Sequence, residues 1–175
     1  NEANTWYFQW KAGLDFNFGA PEALYAGQVM VGTANATISD SLGNYLFSCD
    51  WHAYYTKNGS IMQNGVVSLC PGFYGLTIVK WPGQNGLYYV FTAGIDFDQG
   101  FYYSLVDMKL FDGLGAIIEK SVPIESGYDV CSRIATVRKP GTQDVWVVTR
   151  KFTEDAILAY LVDENGFNAE PVLSY

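Results

Sequence analysis

The sequence predicts an all-β protein composed of four-stranded antiparallel blades of a β-propeller, arranged as a partial ring of about three blades plus one closing strand. The first reason is a repeat: the aromatic strand and the Ala-Gly-aliphatic-Asp-Phe loop of residues 6–19 recur at residues 87–100. A second echo repeats a Pro-Gly turn and the strand after it 58 residues later, from Tyr88 to Trp146. The third reason is composition, because 17% aromatic residues and 18 glycines suit pleated strands joined by tight turns.

The first strand is predicted at residues 5–10, where it matches the second strand of the repeat unit. We therefore expect it to pair within a blade whose other strands are largely absent from the N-terminal sequence. The unit that follows contains two hairpins, the second of which turns at Asn58-Gly59, a strong signal for a short hairpin loop. The strands of this unit are predicted at residues 35–39, 44–48, 53–56 and 60–63.

Two further units follow the same order of strand, Pro-Gly turn, strand, loop, strand ending in Asp, turn and strand. Turns rich in Asp, Asn and Gly separate their later strands, because these residues tolerate tight backbone conformations. The strands of the second unit are predicted at residues 76–80, 87–92, 101–107 and 116–122. Those of the third are predicted at residues 133–138, 145–150, 157–163 and 168–173.

Three blades do not close a ring, since propellers usually have about four to eight. In a closed propeller whose N-terminal and C-terminal segments share one blade, the chain begins in the middle of that blade. We therefore interpret residues 1–175 as a single propeller segment, the N-terminal part of a longer propeller whose remaining blades come from the same or another polypeptide. The rival interpretation is a self-contained sandwich of about a dozen strands, which the length also permits.

The charge argues against several partners. Ten basic residues against 18 acidic ones leave a net charge of −8, with no basic stripe for phosphates. We therefore expect no nucleic-acid binding and no attraction to anionic membrane surfaces. No run approaches the ~20 apolar residues of a membrane-spanning helix, so no membrane insertion is expected.

Short motifs spread over most of the chain are similar to motifs of a known protein family. They are Asn-Thr-Trp-Tyr-Phe at 4–8, Ala-Gly-Leu-Asp-Phe at 12–16, Ala-Thr-Ile-Ser-Asp at 36–40, Gly-Asn-Tyr-Leu-Phe at 43–47, and further motifs at 103–108 and 144–149. Together they resemble the N-terminal region of large secreted Bacteroidota proteins, which carry a propeller-like module near the mature N-terminus. Many of those proteins end in a gliding-motility-associated or type IX secretion sorting domain. The family commonly has glycine after Trp-Tyr-Phe, where this chain has Gln9.

The resemblance implies a secreted or cell-surface location and export by type IX secretion, and it supplies no catalytic residues. It also bears on Ser41. Asp40-Ser41-Leu42 looks like the Asp-Ser/Thr-aliphatic signal that Bacteroidota O-glycosylate, and it lies in a predicted exposed turn. Ser41 is therefore a candidate O-glycosylation site.

The histidine and cysteine content leaves little material for metal or nucleophilic chemistry. His52 is the only histidine, and its place on an aromatic strand favours a structural or surface role. The three cysteines have spacings unlike any zinc motif. A secreted setting permits one disulfide, between Cys49 and Cys70, and the alternative is three buried free thiols that behave as small apolar residues.

The repeated loops offer a weak calcium signal. Asp15 and Asn17 in the first loop, and Asp96 and Asp98 in the second, supply oxygen atoms at alternate positions, as Ca²⁺ ligands often do. Neither loop has the later bidentate glutamate of an EF-hand. The same pattern also describes an ordinary strand end, and no other cofactor is expected.

Two functional classes remain. The favoured one is a non-enzymatic binding or display module of a secreted surface protein, acting in adhesion by binding a glycan or another surface protein through the loops of the propeller face. Trp10, Trp51 and Trp81 are the candidate stacking platforms for sugars. The alternative for each tryptophan is packing between blades.

The alternative is a propeller-fold glycoside hydrolase or related carbohydrate-active enzyme. Such an enzyme needs two carboxylates facing each other at ~5–9.5 Å. Asp50, Asp96, Asp98 and Asp155 are available, but nothing in the sequence pairs them. No catalytic residue is therefore assigned.

Overall fold

The computed structural model describes residues 1–25, 27, 34–67, 71–94, 100–125 and 130–175. Within these ranges the protein is all-β, with no α-helix and with two 3₁₀ turns at Gln9–Lys11 and Phe111–Gly113. The described strands form sheets of three, eight and five strands. The prediction of an all-β protein with antiparallel sheets is confirmed.

The N-terminal sheet contains β1 (Thr5–Tyr7), β2 (Gly13–Asp15) and β3 (Glu22–Leu24), paired antiparallel in that order. The prediction of one strand over residues 5–10 with distant partners is wrong on both points. The strand ends early because Trp10 adopts a φ of 61°, a left-handed conformation that cannot continue a pleat. Its partner is the next strand in the chain.

Two antiparallel meanders of four strands follow and agree with the predicted strand order. The first meander contains β4 (Asn35–Ser39), β5 (Tyr45–Asp50), β6 (Ala53–Thr56) and β7 (Ile61–Val66). The second meander contains β8 (Pro71–Lys80), β9 (Leu87–Gly94), β10 (Phe101–Asp107) and β11 (Ala116–Glu125). Each strand pairs antiparallel with the next one in its meander.

A parallel contact between β7 and β11 joins the two meanders into one eight-stranded sheet, with Ala116 opposite Gln63. The opposite edges of this sheet, β4 and β8, also contact each other, so the sheet is nearly closed and barrel-like. Its interior is the first hydrophobic core. The buried members are Ala34, Phe47, Cys49, Tyr54, Met62, Leu76, Tyr88, Val90, Val106, Met108 and Ile117.

The third sheet contains β12 (Ala135–Arg138), β13 (Val145–Arg150), β14 (Ile157–Asp163), β15 (Gly166–Phe167) and β16 (Val172–Ser174). It packs on the outer face of β8, β9 and β10 and buries a second core there. The buried members are Val79, Tyr89, Phe91, Ala93, Phe101, Leu105, Val147, Leu158, Tyr160 and Val162. Each fully buried large side chain stabilises the fold by roughly 1.5–3 kcal/mol.

The last predicted strand, at residues 168–173, is wrong in its bounds. Two short strands, β15 and β16, replace it, and both pair with β14. Pro171 lies between them, and proline has no N–H to donate to a strand partner.

The echo between Tyr88 and Trp146 predicts the right strands. Tyr88 lies on β9 and Trp146 on β13, each the second strand of its unit. The cross-strand register differs by one residue, because Tyr88 is opposite Lys80 whereas Trp146 is opposite Val137. Tyr88 consequently points into the first core, while Trp146 lies on the face of its sheet opposite the buried Val147.

Candidate functional site

The turns between the first and second strands of the two meanders and the third sheet meet on one side of the molecule, called here the turn face. They comprise residues 40–44, 81–86 and 139–144, and each is closed by a backbone hydrogen bond between its ends. One residue from each turn, Ser41, Pro82 and Gln143, lines a common groove. The turn of residues 40–44 separates this groove from a second pocket.

The first turn is held by Asp40. Its Oδ1 accepts hydrogen bonds from the backbone N–H groups of Leu42 (2.8 Å) and Asn44 (2.9 Å), and its Oδ2 accepts one from Asn44 Nδ2 (2.9 Å). Partial burial by itself would raise the pKa of Asp40, but these hydrogen bonds outweigh it and hold the pKa below its usual value of 3.8. The carboxylate therefore stays charged and keeps the turn ordered near neutral pH.

The second pocket, called the amide pocket, has a volume of about 620 Å³. It is lined by Asn1, Asn4, Asn17, Asn44, Phe16, Phe18 and Leu42. Asn4 Nδ2 donates to Asn17 Oδ1 (2.9 Å), and Asn17 Nδ2 donates to Gly43 O (3.0 Å). This chain of hydrogen bonds fixes the orientation of the amides and ties the loop after β2 to the first turn.

Gly43 is required where these two segments meet. Its φ is +93°, and a Cβ at this position would overlap Asn17 Oδ1. Only glycine therefore allows the turn backbone to approach the Asn17 side chain so closely.

Aromatic rings form one side of the amide pocket. The Phe16 ring lies 5.0 Å from the Trp6 ring, which supports it from behind, and the Phe18 side chain is 77% exposed. Amide donors and acceptors beside an exposed ring are the side chains that bind sugars, because hydroxyl groups need hydrogen bonds and the C–H face of a sugar needs an apolar surface.

The groove on the other side of the first turn has a volume of about 380 Å³ and carries charge. Glu2 lies in it, with its Oε1 3.1 Å from Lys80 Nζ and its Oε2 3.8 Å from Arg138 Nη2. The backbone of Glu2 is anchored because Ser39 N donates to Glu2 O (2.9 Å). Ile38 and Ile78 line the groove and pack against the first core, which contains Tyr88. The pKa of Tyr88 rises to about 12 mainly because of burial and further because of the Glu2 and Asp40 carboxylates.

The calcium candidates in the first loop are engaged in hydrogen bonds. Asp15 Oδ1 accepts from Asn17 N (2.8 Å), and the Asn17 amide is held as described above. Asp96 and Asp98 lie outside the described residues. Among the residues that the structure describes, no group of three or more His, Cys, Asp or Glu side chains is placed to hold a metal ion.

The three candidate tryptophans have different surroundings. Trp10 is 80% exposed beside the N-terminal sheet. Trp51 stacks on His52, with ring centres 4.2 Å apart. Trp81 packs against Tyr89 at the second core, and its Nε1 donates to Glu164 O (3.2 Å). Of the three, Trp10 offers the most exposed ring face, and none of them lines the amide pocket.

The cysteine and glycosylation candidates are placed as follows. Cys49 is fully buried in the first core, its thiol contacts Ala36 O at 3.9 Å, and burial raises its pKa. Its predicted disulfide partner, Cys70, lies outside the described residues, so the disulfide stays a prediction. Ser41 is exposed on the turn face, where it borders the groove.

The two described carboxylates of the hydrolase alternative lie in different parts of the fold, Asp50 on β5 and Asp155 in the loop between β13 and β14. Asp50 is buried at the end of β5, where its Oδ1 accepts from His52 N (2.8 Å) and Ala53 N (3.0 Å), so it closes a turn. Tyr55 also donates to Asp50 (3.2 Å); burial and then this carboxylate raise the pKa of Tyr55 to about 12. Asp155 is fully exposed and pairs with Arg150 at 3.2 Å.

Sequence reasoning missed most residues of the two sites. Asn17 was singled out, but as a calcium ligand. Asn4 and Asn44 belong to the motifs of the family resemblance and Phe18 to the repeated segment 6–19, but no motif indicated a binding role for them. One signal was present for the groove: Lys80 and Arg138 are 58 residues apart and each precedes a Pro-Gly turn by one residue.

Comparison with known proteins supplies no further assignment, because no family model, curated protein or solved structure matches the chain significantly. Across the described part of the chain, no helix is both long and apolar enough to cross a membrane.

Proposed function

We propose that this protein is a non-enzymatic binding module of a secreted cell-surface protein and that its amide pocket binds a neutral glycan. The observation that carries the proposal is the pairing of oriented amides, Asn4, Asn17 and Asn44, with the exposed ring of Phe18 in one pocket. Such a pocket needs no ionic contact, because the ligand is held by hydroxyl hydrogen bonds and by ring stacking.

A glycan array followed by calorimetry with the best-retained glycan tests this proposal. Phe18→Ala should weaken binding about two- to tenfold, the range expected when one ring contact is lost. Gly43→Ala should abolish binding, because a side chain at this position displaces Asn17. Phe152→Ala removes another exposed phenylalanine, in the loop between β13 and β14, and is the control. The assignment would be refuted if the array retained no glycan, or if F18A and F152A weakened glycan binding equally.

We also infer that the two meanders and the third sheet are successive blades of a propeller. Two arrangements support this. The first strands of the three units are neighbours, since β4 contacts β8 and β8 contacts β12. The outer face of the third sheet is mostly apolar, with Arg150 near one end, and has no covering sheet among the described residues. Its apolar members are Val137, Trp146, Val148, Ile157, Ala159, Leu161 and Val172.

On this proposal the next blade, from the same or another polypeptide, covers that face. Val137→Lys therefore should leave the melting temperature of the 175-residue chain nearly unchanged and reduce its self-association in sedimentation experiments. Leu158→Lys, on the buried face of the same sheet, should prevent folding. A large loss of stability in V137K would mean that this chain covers the face itself, as a self-contained sandwich would.

The cell-surface location rests on the family resemblance and on the turn Asp40-Ser41-Leu42. We propose that Ser41 carries an O-linked glycan in the secreted protein, because its hydroxyl is exposed at a turn. Intact mass measurement of protein secreted by a Bacteroidota host should show an added glycan mass that is lost in Ser41→Ala. An unmodified mass in the wild-type protein would contradict this assignment.

A further inference from the structure

The groove on the turn face combines two cations from equivalent positions of the repeat. Lys80 ends β8 and Arg138 ends β12, and each is followed after one residue by a Pro-Gly turn. Because the first strands of the two units are neighbours, these equivalent side chains converge on the same space. This local positive charge lies in a protein whose net charge is −8.

A carboxylate already lies at the point of convergence. Each oxygen of the Glu2 carboxylate faces one cation, Oε1 towards Lys80 at 3.1 Å and Oε2 towards Arg138 at 3.8 Å. The contacts show that one carboxylate is of the right size and charge to bridge the two repeats.

The Glu2 side chain is a replaceable occupant. All three side chains contact water, with 28% of the Glu2, 36% of the Lys80 and 65% of the Arg138 side chain exposed. Ion pairs in such settings contribute little to stability, because water and salt screen them. An external carboxylate can therefore exchange with Glu2 at little cost.

The rest of the groove suits a sugar ring. The hydroxyl of Thr136 and the amide of Gln143 border it, and Ile38 and Ile78 provide apolar surface. A volume of about 380 Å³ is within the range of small-ligand sites and accommodates a single sugar residue.

We propose that this groove is a second binding site, distinct from the amide pocket, that takes the uronic acid residue of an acidic glycan. The uronate carboxylate replaces that of Glu2 between Lys80 and Arg138, and its ring hydroxyls bond to the polar side chains at the rim. Glu2 acts as an internal competitor that occupies the site when no acidic glycan is present.

Calorimetric titration with a galacturonic acid trisaccharide at low ionic strength tests the proposal. Glu2→Gln should strengthen binding roughly two- to fivefold, because the competitor is removed and both cations are left for the ligand. Lys80→Gln combined with Arg138→Gln should abolish binding, whereas Lys120→Gln, at an exposed lysine on β11, should change it little. Added salt should weaken binding to the wild-type protein.

Three further results decide the outcome. A neutral galactose trisaccharide should not compete for the groove, and Phe18→Ala should leave galacturonate binding unchanged, so that failure of the amide-pocket proposal is distinguishable from failure of this one. Circular dichroism of each variant confirms folding. Absence of galacturonate binding to E2Q, or equal losses in the K80Q and R138Q double variant and in K120Q, overturns the proposal.

Discussion

The second meander and the third sheet follow the same strand plan but differ in what covers them. Strand β9 of the second meander is buried on both faces: Tyr88 and Val90 point into the first core, whereas Tyr89 and Phe91 point into the second. Strand β13 of the third sheet buries Val147 on one face and leaves the other face partly open. One strand is thus sandwiched between two layers and its counterpart is covered on one side.

This difference shows that a repeated sequence pattern predicts strands and turns, but does not predict whether another layer packs on a given face of the sheet. Both strands are rich in aromatic and β-branched residues, which favour pleated structure in either setting. The burial of a strand face depends on the layer beside it. Strand β9 packs against the first meander on one side and the third sheet on the other, whereas β13 packs, among the described residues, against the second meander.

The largest expected effect comes from substituting two equivalent valines, one on β9 and one on β13. Val90 and Val148 are 58 residues apart, and Val90 is fully buried whereas Val148 is half-buried on the outer face. Val90→Ala should lower the free energy of unfolding by about 2–3 kcal/mol, the transfer cost of two methylene equivalents plus a cavity. Val148→Ala should lower it by less than about 1 kcal/mol, which chemical denaturation resolves.

Equal losses in the two valine variants would show that the outer face of the third sheet is covered within this chain. The comparison between the two strands would then fail, and with it the inference that another blade is needed. A similar denaturant slope in both variants is the control that the transition itself has not changed.

The next effect is alkaline destabilisation through Tyr88, whose counterpart Trp146 does not titrate. Burial and nearby carboxylates raise the pKa of Tyr88 from 10.0 to about 12 in the folded protein. The unfolded chain therefore loses the proton first, so the stability that Tyr88 contributes is complete below pH 10 and is lost as pH rises towards about 12. Unfolding free energies measured across this window should fall less steeply in Tyr88→Phe than in the wild type.

Absorbance at 295 nm gives a direct check, because it follows tyrosinate formation. The wild-type protein should show a titrating group near pH 12 that Y88F lacks, while Tyr55 and Tyr103, also raised to about 12, continue to titrate in the variant. If the absorbance change near pH 12 were the same in Y88F as in the wild type, the burial of the Tyr88 ring would be contradicted.

The smallest effect concerns the Pro-Gly turns, where the two units should behave alike. Gly83 and Gly141 have φ values of +73° and +77°, and a Cβ would meet Glu164 at 3.6 Å beside Gly83 and nothing within 4 Å beside Gly141. Alanine at either position should therefore cost a similar amount, about 1 kcal/mol, from backbone strain alone. Thermal melts of the two variants compare them, and a much larger loss at Gly83 would reveal tighter packing against the third sheet than the geometry shows.

Local signals predicted the strands well where they were strong. The Asn58-Gly59 turn predicted a hairpin of the first meander, and the 58-residue echo predicted strands of the second meander and the third sheet, mostly within a few residues of their positions. The predictions at residues 5–10 and 168–173 were wrong, because the left-handed backbone at Trp10 and the missing donor of Pro171 interrupt otherwise strand-like sequence.

The candidate sites were much less predictable. Phe18 and Asn44 lie 26 residues apart in the chain and face one pocket only because the loop after β2 packs against the first turn. Glu2 reaches Lys80 and Arg138 across 78 and 136 positions of sequence. The equivalent positions of Lys80 and Arg138 before their Pro-Gly turns are a signal in the sequence, but no local pattern shows that Glu2 lies between them or that Phe18 and Asn44 share a pocket.

By itself the sequence determined the all-β class, the order of the strands in the two meanders and the turn chemistry, because alternation, aromatic content and Asp, Asn or Gly in turns act over a few neighbouring residues. Only the tertiary structure decided how β7 and β11 close the eight-stranded sheet, which face of β13 is buried, and which side chains meet on the turn face. Those outcomes depend on contacts between distant segments, where a shift of one residue in register moves a side chain to the opposite face of its sheet.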